Sequence, residues 1–219
     1  MNLANKLTLS RVAVIPIFLV CVLPESFGLP EPLFPYLRSG ALLIFIGATI
    51  TDYYDGVLAR RHGWITNFGK LFDPLADKMI VMTAFVALIE VDLAPGKPIF
   101  PSWMVILILC REFLITGLRT LAVSQGRVVS ADRWGKNKTI TQMTVIITAL
   151  VFLAARDILS ATGHWKPYFI EESYFARGQG IAHWLTLLLR VMMLLCVALT
   201  VVSGWVYLRK NWNLIREDV

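Results

Sequence analysis

The sequence predicts an all-α integral membrane protein of six transmembrane helices, preceded by a short N-terminal interfacial helical segment, and three observations carry that reading. Hydrophobic residues make up 57% of the chain and charged residues only 16%, against about 45–50% and about 25% in soluble domains. Apolar stretches recur along all 219 residues, separated by polar loops too short to divide domains, so 1–219 reads as a single transmembrane domain. The loops also alternate in the sign of their charge, as the connections of a multi-pass membrane protein do.

The spans are read at 7–23, 39–59, 71–89, 104–123, 140–155 and 181–208, lengths broadly suited to a hydrocarbon core of about 30 Å. The first is short and contains Pro16, which predicts a tilt or kink. Its approach, Asn5-Lys6-Leu7-Thr8-Leu9-Ser10-Arg11, mixes cap-forming and basic residues and is expected to begin in the interface. No small-residue cleavage site follows, so the first helix is expected to be retained. Trp64, Trp103, Trp134, Trp165, Trp205 and Tyr207 fall near span ends, where an aromatic belt sits. Cys21, Cys110 and Cys196 lie far apart in apolar segments and read as small hydrophobes.

Lys6 and Arg11 flank the first span, and Glu25 and Glu31 follow it; Arg60, Arg61 and Lys70 follow the second, and Glu90 and Asp92 with one lysine, Lys97, the third. Arg127, Arg133, Lys136 and Lys138 follow the fourth, and Arg209, Lys210 and Arg216 close the chain. The positive-inside rule then places both termini in the cytoplasm, with an even number of spans. The loop is balanced in charge over 156–177, and the whole of 156–180 falls on the opposite side and is assigned no chemistry. The net charge of +6 is accounted for by basic residues beside apolar runs, where they meet anionic head groups, and nucleic acid is not an expected partner.

One stretch does not fit a plain membrane scaffold. Asp52, Asp55, Gly56, Ala59 and Arg60 fall within an arc of about 140° on one helix, and Gly69, Asp73 and Asp77 step by fours along the next. A turn containing His62-Gly63 makes the two helices antiparallel neighbours, so two acidic faces meet. An aspartate in a membrane helix costs about 2.5–3.5 kcal/mol, so these four must line a wet cavity or bind cations. Pairing with Arg60, Arg61, Lys70 and Lys78 would explain the charge but not the small residues. Gly56, Ala59 and Gly69 strip the helix surface beside the carboxylates, as close approach of a ligand requires. Carboxylates without softer ligands nearby suit a hard divalent ion such as Mg2+.

The full pattern, D-x2-D-G-x2-A-R-x8-G-x3-D-x3-D from Asp52 to Asp77, resembles the signature of the CDP-alcohol phosphotransferase family. The resemblance extends over the whole chain in length and span number. It implies that family's six-helix fold, usually as a homodimer, and transfer of a phosphate-linked group from a CDP-linked donor to an alcohol with release of CMP. By position, it implies Asp52, Asp55 and Asp73 as ligands of Mg2+ or Mn2+, in all two ions. Asp77 would share the metal site and act as general base on the acceptor hydroxyl. Gly56, Ala59 and Arg60, with Gly69, would border the cytidine diphosphate.

A second cluster speaks to the acceptor. Arg111 and Arg119 lie about 80° apart around the fourth span, and Arg111 sits inside an apolar run where an unpaired cation is costly. A salt bridge from Arg111 to Glu112, or to an aspartate, is the plain alternative. Lys136 and Lys138 open the fifth span on the same side, where ordinary topology anchors also stand. Together these four are more cationic than an uncharged alcohol needs, and they suit an acceptor that carries its own phosphate. The strings around Asn5–Arg11, Thr66–Lys78, Arg111–Glu112 with Arg119, and Gly135–Gln142 are similar to the family branch that uses CDP-diacylglycerol and glycerol 3-phosphate. That similarity implies a bacterial cytoplasmic membrane enzyme with its active site on the cytoplasmic side. Family members that make cardiolipin or phosphatidylinositol phosphate are the nearest alternatives. A cation transporter would spread its carboxylates along a path across the membrane, whereas these cluster at one face.

Overall fold

The computed structural model describes residues 3–62, 67–94, 97–124, 133–162 and 181–212. Among them are six long helices: α1 Leu3–Val22, α2 Phe34–His62, α3 Asn67–Glu90, α4 Ser102–Ser124, α5 Arg133–Ala161 and α6 Ile181–Lys210. Each contains one of the apolar stretches read from the sequence, apart from the last residue of the first, and most run on into the polar residues beyond. The reason is that a helix satisfies its own backbone whether or not the side chains are apolar, so hydropathy marks the span and not the helix end. α1 continues through Pro16.

Among the described residues, three segments are long and apolar enough to cross a membrane: Glu31–Thr51, Asn137–Ala161 and Trp184–Lys210, with Ser10–Val22 a shorter apolar helix. Their outward faces carry Leu43, Ile50, Ile140, Leu195 and Val201, all exposed, which is the surface a lipid environment covers. In such helices a hydroxyl needs an internal acceptor. Thr49 donates to the Phe45 carbonyl at 2.9 Å, Thr144 to Ile140 at 2.8 Å and Thr148 to Thr144 at 2.8 Å, each one turn back along its own helix.

α1 packs against α2 and α3, α2 against α5, α5 against α6 and α6 against α4, while α2 and α3 also touch. Phe18, Phe45, Phe85, Leu88, Phe100, Ile146 and Leu153 fill the centre. The Phe18 and Phe45 rings lie 6.1 Å apart and those of Phe85 and Phe100 5.9 Å apart, both tilted, a spacing favoured for aromatic pairs.

The bundle end that holds the start of α2 and the end of α5 is tied by charge. Arg38, fully buried, meets Asp157 at 2.7 Å and both oxygens of Glu25 at 2.6 and 2.7 Å. Arg156 joins Asp157 at 2.9 Å and donates to the Asp92 carbonyl at 3.0 Å. Glu25 sits in a turn that Gly28 closes at φ 66°, a conformation that costs a glycine little. Residues 156–161, read from the sequence as the start of a loop, belong instead to α5, and the ion cluster at Arg156 and Asp157 ties this last stretch of helix to the bundle. Two short strands, β1 Asp92–Ala94 and β2 Lys97–Pro98, pair antiparallel between α3 and α4, too short to leave a periodic signal in the sequence.

Among the aromatic residues expected at the interface, Trp103 and Trp205 are exposed near helix ends. Tyr207 is not: it is buried, because α6 turns that face toward α4. Trp64 and Trp165 lie outside the described residues, as does the side chain of Trp134. Cys21 and Cys196 are buried as read, while Cys110 is exposed.

Candidate active site

The eight positions of the aspartate pattern divide between two helices. Asp52, Asp55, Gly56, Ala59 and Arg60 stand on the last turns of α2, and Gly69, Asp73 and Asp77 on the first turns of α3. The two helices touch, so both carboxylate sets belong to the same end of the bundle. The side chains of these eight residues, and the His62-Gly63 turn beyond its helical His62, lie outside the described residues. The donor set itself fits a hard divalent cation: it consists of carboxylates, two from each helix, and such ions take oxygen ligands.

The structure draws the second cluster around Glu112, midway along α4 and buried. Lys138, near the start of α5, donates to Glu112 Oε1, and Gln142, one turn further on, lies 3.4 Å from the same oxygen. Lys78 of α3 approaches Oε2 at 3.6 Å and donates to the Thr116 hydroxyl. Arg111 Nη1 stands 3.5 Å from Oε1. A buried carboxylate in an apolar helix needs such partners, and these come from three helices.

Arg111 is shared between helices. Its Nη2 donates to the Ser203 hydroxyl on α6 at 2.7 Å, and its stem passes Gly204, where an added Cβ would come within 3.1 Å of Cγ. A glycine is therefore what lets the guanidinium lie along α6. Arg119, exposed, places its guanidinium 6.0 Å from the centre of the Tyr207 ring, within cation–π reach. Ser203 and Tyr207, one helical turn apart, thus face the two arginines of α4. Among the described residues, Arg111 Nε and the Tyr207 hydroxyl are buried without a hydrogen-bond partner.

Of the four cations assigned from sequence to an acceptor phosphate, the structure brings Arg111 and Lys138 together on Glu112. Arg119 stands two turns along α4 from Arg111, beside α6. The Lys136 side chain lies outside the described residues. The plain alternative read from the sequence, a salt bridge from Arg111 to Glu112, is present, but sequence reasoning did not single out Glu112 as the joining residue, nor Lys78, Gln142, Ser203 and Gly204 as its surroundings. The Glu112 signal was present, a carboxylate beside Arg111 in an apolar run, whereas Ser203-Gly204 looks like any small pair on a membrane helix.

The family model described as CDP-alcohol phosphatidyltransferase matches residues 1–208. The chain belongs to this family. As a CDP-alcohol phosphatidyltransferase it is a membrane protein of a transferase family, and the apolar helices agree with that. It is 38% identical over 221 residues to the CDP-diacylglycerol–glycerol-3-phosphate 3-phosphatidyltransferase of Bacillus subtilis, covering 99% of this chain and 98% of the relative. The protein of that name from Rickettsia felis is 37% identical over 142 residues, covering 65% of this chain and 71% of the relative. A probable phosphatidylglycerophosphate synthase of Mycobacterium tuberculosis is 36% identical over 172 residues, covering 73% and 76% respectively.

Proposed function

We propose that this protein transfers the phosphatidyl group of CDP-diacylglycerol to glycerol 3-phosphate, giving phosphatidylglycerol phosphate and CMP. The observation that carries the reading is the joint presence of two sets of residues in one bundle. The unbroken aspartate pattern spans the α2 and α3 ends, and a cationic cluster is gathered on Glu112 by α3, α4 and α5. The first suits the donor's diphosphate through the divalent cations it would hold, and the second suits an acceptor bearing a phosphate of its own. The near full-length similarity to a relative named for this reaction supports both assignments.

In this reading Asp77 takes the proton of the acceptor hydroxyl. The freed oxygen bonds to the phosphatidyl phosphorus while the anhydride bond to CMP breaks. Asp52, Asp55, Asp73 and Asp77 would hold Mg2+ or Mn2+, two ions in all, whose charge would neutralise the diphosphate and make CMP a better leaving group. Gly56, Ala59, Arg60 and Gly69 border the cytidine diphosphate, and Arg111, Arg119, Lys136 and Lys138 receive the acceptor's phosphate.

The proposal extends to the setting. All six long helices cross the membrane, the protein works as a homodimer, and both termini and the aspartates face the cytoplasm of a bacterial cell. Purified protein in detergent, given CDP-diacylglycerol, Mg2+ and labelled glycerol 3-phosphate, is expected to release CMP only when the acceptor is present. No acceptor-dependent CMP release would overturn the assignment.

A further inference from the structure

We propose that Glu112 is the positioning residue of the acceptor pocket, its buried carboxylate setting the places of Arg111 and Lys138 and tying both to α3 beside Asp77. The inference rests on the acceptor reading given above, because it assigns Glu112 to the cations that reading uses.

The geometry is that of a shared hub. Oε1 of Glu112 takes Lys138 and Gln142, one turn apart on α5, and lies 3.5 Å from Arg111. Oε2 faces Lys78 at 3.6 Å. Lys78 follows Asp77 directly in the chain, so the carboxylate that holds the acceptor cations is also linked to the helix that carries the candidate base. Glu112, Lys138 and Gln142 are each about 95% or more buried, so water screens these interactions little.

A stabilising ion pair needs one cation. Glu112 instead meets side chains from α3, α4 and α5, and its hold on Arg111 is partial, since that guanidinium also reaches Ser203 on α6. The carboxylate therefore orients Arg111 while leaving part of its donor fork for another acceptor. Without the carboxylate, Arg111 and Lys138 would face each other as like charges and spread apart.

Two roles predict opposite signs. If Glu112 acted on the acceptor through its charge alone, neutralising it would relieve repulsion of the phosphate and lower the acceptor KM. If it positions the cations, neutralising it disperses them and raises that KM. Glu112→Gln is therefore expected to raise the KM for glycerol 3-phosphate about tenfold, with the KM for CDP-diacylglycerol changing less than about twofold. Glu112→Asp keeps the charge but retracts it by one methylene, and should recover much of the loss, leaving the acceptor KM about threefold above wild type. A fall in acceptor KM, no change, or an equal rise in both KM values would overturn the proposal. Should the glutamine variant fail to fold, the aspartate variant decides alone: an acceptor KM at or below the wild-type value overturns it. A wild-type protein without acceptor-dependent CMP release would overturn the acceptor reading and this inference together. An active wild type with a shift of the wrong sign overturns only the role of Glu112.

Discussion

A part-buried guanidinium in an apolar helix has to divide its donors among whatever its neighbours offer, and Arg111 divides them between Glu112 and Ser203. The space for that arrangement comes from Gly204, so Gly204→Ala is expected to push the Arg111 stem off α6. The acceptor KM should rise about threefold while the donor KM stays nearly constant. Arg119 stands against the Tyr207 ring and, in the proposed function, meets the acceptor phosphate. Arg119→Ala should chiefly raise the acceptor KM, and a rise confined to the donor KM would refute that role. For Asp77→Asn the expected result is retained nucleotide binding, read by titration of CDP-diacylglycerol, with turnover lowered by about a hundredfold or more. Unchanged turnover would remove Asp77 as the base.

At the scale of elements, the two ends of the bundle use charge differently. One end carries the aspartates, the Glu112 hub lies toward the middle of the bundle, and the other end carries Arg38 locked between Glu25 and Asp157. Removing one partner of a buried pair typically costs about 3–5 kcal/mol, so Arg38→Met should lower the thermal unfolding midpoint in detergent markedly. Glu25→Gln should cost less than about 1 kcal/mol, because half of the Glu25 side chain is exposed. The helices themselves were legible in the sequence, since each apolar run of the right length had no other way to satisfy its backbone. The aspartate pattern was legible for a related reason: four carboxylates beside small residues have no cheap structural use in a membrane. The Glu112 hub was not. Arg111, Glu112, Lys78, Lys138 and Gln142 meet only because α3, α4 and α5 converge, and helical periodicity within one segment carries no information about which segments become neighbours. Tyr207 was misplaced at the interface for the same cause: its buried side is set by α4.

For the molecule as a whole, the arrangement separates recognition from chemistry. In the proposed function the α2 and α3 ends carry the residues assigned to donor and metal, while α4 and α5 carry those assigned to the acceptor. Removing divalent ions with a chelator is therefore expected to abolish CMP release, and adding back Mg2+ or Mn2+ to restore it. Activity that survives chelation would exclude the metal role of the aspartates. The Arg38 cluster bears on how the chain reaches this state at all. Asp157 lies 119 residues beyond Arg38, so a ribosome must finish α5 before the arginine meets its buried partner. Until then, among the described residues, Glu25, 13 residues upstream, is the carboxylate that offsets its charge. The first four helices are thus an unfinished intermediate during synthesis, and a chain ended before α5 should be cleared by membrane proteases while the complete one persists.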